Sequence, residues 1–226
     1  WELGTPPEVV LKMIQNHYKT YLNLQVLDLG CGKGAVSIKL AKALRCKCHG
    51  IDAVPEFIAA AKEKAKEYGV DTLCQFEAGD VREKIRELDI FDVFIFGATG
   101  PIFNDYFTAL TVLSKHLSDE GIIIIEETYI DVQNAFQHSS LITRKELLEQ
   151  FARAGMELID ETINTYSVFA DCAKDKENIM KRCNELKIKN PEKAPLFEGY
   201  VQNQASEYGN KAGSSIMVLK RVKRSI

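Results

Sequence analysis

Residues 26–34 read Val-Leu-Asp-Leu-Gly-Cys-Gly-Lys-Gly, an apolar stretch that ends in an acid and continues into three alternating glycines. Apolar residues at helical spacing follow from Val36 to Leu44. Glycines let the backbone turn tightly and let a ligand approach closely, and a helix that begins here offers unpaired N–H groups. The stretch therefore predicts a strand, a glycine loop and a helix that together bind a nucleoside cofactor.

Two later segments repeat the pattern of an apolar stretch that ends in an acid. Residues 46–51 precede Asp52, and residues 73–78 precede Gly79 and Asp80. The carboxyl ends of parallel strands lie along one edge of a sheet. We therefore expect the carboxylates of Asp28, Asp52 and Asp80 at the same edge.

The glycine spacing alone leaves the cofactor open, because Gly30-x-Gly32-x-x-Ala35 also fits the loose dinucleotide fingerprint. A NAD(P)-dependent oxidoreductase is thus an alternative, and Asp52 would suit the ribose of either cofactor. A dinucleotide brings a pyrophosphate, which the negative charge of Asp28 would repel. S-adenosylmethionine brings a sulfonium and an ammonium and no phosphate, so the sign of charge favours it.

With these residues the sequence resembles the class I S-adenosylmethionine-dependent methyltransferases, from the helix at Pro7 to the last strand near Val222. The resemblance implies a Rossmann-like α/β fold with a seven-stranded sheet, the last strand antiparallel, helices on both faces and a helical insertion between strands 6 and 7. It also implies methyl transfer to an acceptor by in-line displacement, which needs a dry, well-oriented pocket rather than a nucleophilic residue. No catalytic residue is assigned.

The resemblance further implies which residues bind S-adenosylmethionine. Asp28 would reach the methionine ammonium, Asp52 would hold the ribose, and Asp80 would accept from the adenine amino group beside the backbone N–H of Val81. Asp80 could instead cap the helix that follows, and Asp52 could shape the turn before Pro55. The complete predicted set is Asp28, Gly30, Cys31, Gly32, Gly34, Asp52, Ala53, Gly79, Asp80, Val81 and Gly97.

The order of the remaining segments predicts how the chain is organised. Thr5-Pro6-Pro7-Glu8 indicates a helix start with Thr5 as cap, and strands then alternate with helices, as in a parallel sheet covered on both faces. Met156 to Val168 is predicted as the sixth strand and Ser215 to Val222 as the seventh. The resemblance makes residues 170–213 a helical lid. Residues 1–226, with an N-terminal helical segment over 1–24, are predicted to form a single methyltransferase domain.

The methyl acceptor is predicted to be a small molecule. The segment Gly97-Ala98-Thr99-Gly100-Pro101 lacks the Asn/Asp-Pro-Pro-aromatic sequence of amino-methylating DNA enzymes, and Gly97 cannot supply the carboxylate of a catechol-type magnesium site. We expect no metal and no nucleic-acid partner. Glu126 and Glu127 would favour a cationic or amine acceptor. The predicted substrate-binding residues are Tyr129, Tyr166, Tyr200 and Gln204.

Bulk composition sets the remaining expectations. The chain has 226 residues, 46% of them hydrophobic, and a net charge of −3, which suits one large α/β domain and lacks the basic balance of a nucleic-acid enzyme. Its six cysteines show no zinc-type spacing, which indicates a reducing compartment. We expect a cytoplasmic monomer or homodimer without a membrane span. A non-catalytic S-adenosylmethionine-binding protein is a further alternative.

Overall fold

A computed structural model describes residues 1, 4–97, 99–130, 142–163, 168–199 and 212–223. Its strands are β1 Gln25–Leu29, β2 Lys47–Asp52, β3 Cys74–Ala78, β4 Phe91–Phe96, β5 Leu117–Ile130, β6 Met156–Ile163 and β7 Ala212–Arg221. Its α-helices are α1 Pro7–His17, α2 Ala35–Leu44, α3 Pro55–Glu67, α4 Val81–Lys84, α5 Tyr106–Leu113, α6 Arg144–Arg153 and α7 Val168–Lys189.

The seven strands form one sheet in the order β3-β2-β1-β4-β5-β7-β6, with β7 antiparallel. Strands β1 to β5 pair in parallel through the contacts β1–β2, β2–β3, β1–β4 and β4–β5. The predicted fold class is confirmed, including the helical insertion between the last two strands. This order puts β1 at the centre of the parallel strands, where its neighbours fix the start of the glycine loop.

The register brings the carboxyl ends of the first three strands together. Leu29 pairs with Ile51, and Asp52 pairs with Ala78. The glycine loop after β1, the turn after β2 and the segment after β3 therefore begin at one edge of the sheet, as predicted. Parallel strands buried on both faces consist mainly of apolar residues, and the four buried residues of β1 follow this rule with one exception, Asp28.

Helices pack on both faces of the sheet. On one face, Ile14, Ile38 and Ala61 from α1, α2 and α3 join Val26 and Ile124 in a buried cluster. On the other face, the rings of Phe96 and Tyr106 pack edge to face with centroids 6.0 Å apart, and Tyr106 packs in the same way on Phe151 of α6. The core therefore holds the parallel strands rigidly beneath the edge where their loops begin.

The chain divides into two compact units. The first comprises residues 1–127, 144–162 and 215–226, and it contains the parallel strands β1 to β4 and the glycine loop. The second comprises residues 128–143 and 163–214, and it contains α7. The prediction of a single domain over 1–226 stays a prediction. None of the helices among the described residues is both long and apolar enough to cross a membrane.

The structure corrects the predicted end of the sixth strand. The predicted strand Met156–Val168 is too long, because β6 ends at Ile163 and Val168 begins α7. The β-branched residues near its end suit a strand, but tertiary context overrides so weak a preference. Helix α5 begins only at Tyr106, because the carboxylate of Asp105 caps it by accepting the N–H of Thr108 at 2.7 Å.

Candidate cofactor site

The loop between β1 and α2 depends on its glycines. Gly30, Gly32 and Gly34 have φ angles of 70°, 54° and 77°, in the left-handed region that other residues rarely adopt. Gly34 also lies directly under an aromatic ring, since a Cβ at this position would stand 2.7 Å from Cζ of Phe76. The predicted glycine loop is therefore a turn that is closed from below by Phe76.

Asp52 holds this loop from the neighbouring strand. Its Oδ2 accepts the backbone N–H of Gly32 at 2.8 Å, and its Oδ1 accepts the backbone N–H of Val54 at 2.9 Å. The second bond shapes the turn before α3, which is the structural alternative raised for this residue. The first bond fixes the glycine loop to the end of β2. The predicted contact of Asp52 with a ribose stays a prediction.

Asp28 is a buried carboxylate beneath the same loop. It is only 4% exposed, and its Oδ2 accepts the hydroxyl of Ser37 on α2 at 2.6 Å. Burial raises the pKa of Asp28 to about 6, and the charge of Asp52 adds to this, although the hydrogen bonds from Ser37 lower it. At neutral pH the site therefore holds a negative charge that has lost most of its hydration.

A cavity of about 350 Å³ lies over the glycine loop. Five of the predicted cofactor-binding residues line it together, namely Asp28, Gly30, Cys31, Gly32 and Gly97. A Cβ at Gly32 would meet nothing within 4 Å, so the backbone there is open to a ligand. The other described lining residues, which the sequence did not predict as cofactor contacts, are Trp1, Gly4, Thr5, Lys33, Ala35, Val36, Phe57, Ile95 and Thr99.

Several predicted residues lie near this cavity without being among its described lining. Gly34 ends the glycine loop against Phe76, and Asp52 binds the loop from the end of β2. Ala53 is exposed after β2, Gly79 donates its N–H to the carbonyl of Asp52 at 2.9 Å, and Val81 is buried at the start of α4. These residues belong to the same edge of the sheet. Their predicted contacts with the adenine side of a cofactor stay predictions.

Asp80 is engaged with its own helix. Its Oδ1 accepts the backbone N–H of Arg82 at 2.9 Å, so it caps α4, which is the alternative that the sequence left open. The guanidinium of Arg82 also pairs with this carboxylate at 2.5 Å and lowers its pKa to about 2. A contact between Asp80 and an adenine amino group would have to share the carboxylate with Arg82.

The segment before α1 forms part of the cavity wall. Thr5 is not the cap of α1, which begins after Pro6 without a side-chain cap. Its hydroxyl instead donates to Oε2 of Glu126 at 2.5 Å. The ring of Trp1 packs on Tyr68 with centroids 5.5 Å apart. Sequence reasoning missed Thr5 because it reads locally as a helix cap, and nothing in the pattern indicates a partner 121 residues away.

Of the four predicted substrate-binding residues, Tyr129 lies among the residues that the structure describes. Tyr129 is 4% exposed at the end of β5 in the second unit, where a Cβ at Gly213 would stand 2.8 Å from its ring. The other three predicted substrate-binding residues, Tyr166, Tyr200 and Gln204, lie outside the described residues. In the described part of the chain, no three His, Cys, Asp or Glu side chains group as metal ligands. The predicted acceptor contacts stay predictions.

Gly97→Ala should displace the segment that carries Thr5. A Cβ at Gly97 would lie 2.0 Å from Oγ1 of Thr5 and 3.0 Å from its Cβ. We expect Gly97→Ala to lower the free energy of unfolding by about 1–3 kcal/mol, measured by urea denaturation. The loss should be smaller in a Thr5→Ala background, which lacks the hydroxyl. Equal losses in both backgrounds would contradict this account of residue 97.

Comparison with known proteins places this chain among methyltransferases. A family model described as a methyltransferase domain matches residues 22–198. The chain is 29% identical over 135 residues to malonyl-[acyl-carrier protein] O-methyltransferase of Bacillus cytotoxicus, which covers 58% of this chain and 46% of that protein. It is 28% identical over 191 residues to carboxy-S-adenosyl-L-methionine synthase of Campylobacter jejuni, with 79% and 76% covered.

The fold is similar to that of a solved S-adenosylmethionine-dependent methyltransferase from Geobacter sulfurreducens in complex with S-adenosyl-L-homocysteine. The TM-score is 0.75 at 22% identity, and the superposition covers 96% of this chain and 91% of the other. This likeness confirms the fold. The chain spans about half the length of the Bacillus cytotoxicus relative that it matches.

Proposed function

Because the chain belongs to the methyltransferase domain family, we propose that it transfers a methyl group from S-adenosylmethionine to a small-molecule acceptor. The observation that carries this proposal is the buried carboxylate of Asp28 in the wall of a cavity over the glycine loop. The family uses S-adenosylmethionine. The negative charge of Asp28 therefore suits S-adenosylmethionine, which carries an ammonium and a sulfonium.

The residues around the cavity fit this donor. Asp28 supplies a negative charge for an ammonium, whereas it would repel the pyrophosphate of a nicotinamide dinucleotide. Gly30 and Gly32 present backbone without side chains to the cavity, and Asp52 lies directly behind them to accept ribose hydroxyls. The negative charge of Asp28 therefore argues against the alternative function as a NAD(P)-dependent oxidoreductase.

The protein's own contribution is to bind, orient and exclude water. S-adenosylmethionine supplies a methyl group on a sulfonium, from which a neutral thioether departs as an excellent leaving group. Val36, Phe57 and Ile95 give the cavity an apolar wall that keeps water from the ligand, while Asp52 fixes the loop on which the donor rests. Positioning of this kind supplies much of the rate in a displacement that needs no nucleophilic residue.

The class of acceptor is proposed from two kinds of relative. The Bacillus cytotoxicus relative is named for an acyl-carrier-linked acceptor, and a 27% identical relative from Herpetosiphon aurantiacus is named (+)-O-methylkolavelool synthase. We therefore propose a small organic molecule, free or linked to an acyl carrier, as the acceptor of this chain.

A transfer assay tests the proposal. The protein is incubated with S-adenosylmethionine that carries a tritiated methyl group, together with the small-molecule fraction of a cell extract or with a malonyl-acyl-carrier protein. We expect label in an acceptor and release of S-adenosylhomocysteine. Tight donor binding without label in any acceptor would support the non-catalytic alternative instead.

A further inference from the structure

Glu126 lies next to the candidate cofactor cavity, and none of the described lysines or arginines pairs with it. Strand β5 pairs with β4 so that Ile124 lies opposite Ile95. Side chains alternate along a strand, so Glu126 shares the face of Ile124 and lies beside Gly97, which lines the cavity. Its carboxylate accepts the hydroxyl of Thr5, another lining residue, at 2.5 Å. Glu126 thus contacts a residue of the cavity wall directly.

The next residue shows the opposite arrangement. Glu127 points to the other face of the sheet, where the hydroxyl of Tyr106 on α5 donates to it. Tyr106 is 2% exposed and packs against α6. Of these two neighbouring glutamates, only Glu126 faces the side of the sheet on which the cavity lies.

The charge of Glu126 is poorly compensated. Among the described residues, the hydroxyl of Thr5 is its one hydrogen-bond donor, and no lysine or arginine lies within ion-pair distance. Burial and the neighbouring charge of Glu127 raise the pKa of Glu126. A carboxylate can accept about four hydrogen bonds, and partly buried carboxylates usually pair with a cation. Glu126 therefore places a carboxylate beside the cavity wall that no described lysine or arginine pairs with, although Lys33 also lines the cavity.

We propose that Glu126 is a specificity-determining residue, whose charge makes the cavity favour a positively charged ligand group beside Thr5. This inference rests on the proposed function, because it concerns how the cavity distinguishes the proposed donor from its product. The donor carries a sulfonium and the product S-adenosylhomocysteine carries a neutral thioether at the same atom. Glu126 then shifts the relative affinity toward the donor, so that the donor displaces the product more readily.

Comparing these two ligands isolates the effect. They share the ammonium, the ribose and the adenine, so the contributions of Asp28, Asp52 and the glycine loop largely cancel in the ratio of their dissociation constants. Glu126→Gln removes the charge and keeps an oxygen that can accept the hydroxyl of Thr5. A change in the ratio then reports the charge of Glu126 rather than the position of the N-terminal segment.

The experiment is calorimetric titration of the full chain with S-adenosylmethionine and S-adenosylhomocysteine at about pH 8, because a higher pH favours the ionised carboxylate. In Glu126→Gln, we expect the ratio of the donor Kd to the product Kd to rise about three- to tenfold, mainly through weaker donor binding. The matched control is Glu127→Gln, which removes the same charge on the opposite face and still accepts from Tyr106. Its ratio should stay within about twofold of wild type.

Two other outcomes overturn the inference. An unchanged ratio in Glu126→Gln would show that the charge is not felt at the sulfonium. Equal weakening of both ligands would show a purely structural role, which is the result expected for Thr5→Val because it loses the hydroxyl but keeps the charge. Wild-type protein that binds neither ligand would instead overturn the proposed function, before any variant is compared.

Discussion

Asp52→Ala is expected to weaken the binding of S-adenosylmethionine by about a hundredfold or more. The substitution removes both acceptors that hold the backbone N–H groups of Gly32 and Val54. It also removes the proposed partner of the ribose hydroxyls. The variant therefore loses both the hydrogen bonds that hold the glycine loop and the proposed contact with the ribose. Calorimetric titration with S-adenosylmethionine measures the resulting loss of affinity.

The matched control for this prediction is Asp71→Ala, which removes an exposed aspartate from the turn before β3. It should leave donor binding unchanged. Asp52→Ala should also lower the free energy of unfolding by about 1–3 kcal/mol, because two N–H groups lose a charged acceptor. Donor binding at wild-type strength in Asp52→Ala would contradict the role given to this carboxylate.

Asp28→Asn is expected to change stability and binding in opposite directions. Because the pKa of Asp28 is about 6 in the folded protein against 3.8 ordinarily, the ionised carboxylate destabilises the fold at neutral pH. Asparagine keeps an oxygen for the hydroxyl of Ser37 without the charge. We expect the free energy of unfolding at about pH 8 to rise by about 2 kcal/mol, measured by denaturant unfolding.

The pH dependence of this effect follows from the direction of the pKa shift. A carboxyl group whose pKa is raised in the folded state stabilises the fold most when the pH is below the pKa that it has in the unfolded chain. This stabilisation is lost as the pH rises through the pKa that it has in the folded protein. The stability gain of Asp28→Asn should therefore shrink toward zero between about pH 6 and about pH 4. If Asp28→Asn were less stable than wild type at about pH 8, this would contradict the conclusion that the ionised carboxylate of Asp28 destabilises the fold.

Binding by the same variant should fall. Asp28 lines the cavity and is the proposed partner of the methionine ammonium, so its neutral replacement should weaken S-adenosylmethionine about tenfold or more. The product shares this ammonium and should weaken by a similar factor. A variant that gains stability and loses affinity would show that the buried charge is kept for ligand binding.

The sequence predicted the central part of the fold because the determinants are local. The apolar segment, the acid and the glycines that define β1 and its loop lie within residues 26–34, and the acid at Asp52 ends the next strand. Periodicity also predicted the helices that follow. The parallel direction of the strands then follows from the alternation of strands and helices, and the structure confirms it for β1 to β5.

Long-range contacts could not be predicted in this way. The bond from Thr5 to Glu126 joins residues 121 positions apart, and no local pattern distinguishes it from a helix cap. The start of α7 at Val168 was missed because β-branched residues there resemble a strand. Asp80 fits both a cap and a ligand contact, and its capping role depends on the neighbouring Arg82.

The central claim is that the cavity over the glycine loop takes a cationic nucleoside donor. Calorimetric titration of the wild-type chain with S-adenosylmethionine and, separately, with NADH tests it most directly. We predict micromolar binding of S-adenosylmethionine and none of NADH, because Asp28 attracts an ammonium and repels a pyrophosphate. Micromolar binding of NADH without binding of S-adenosylmethionine would contradict the account.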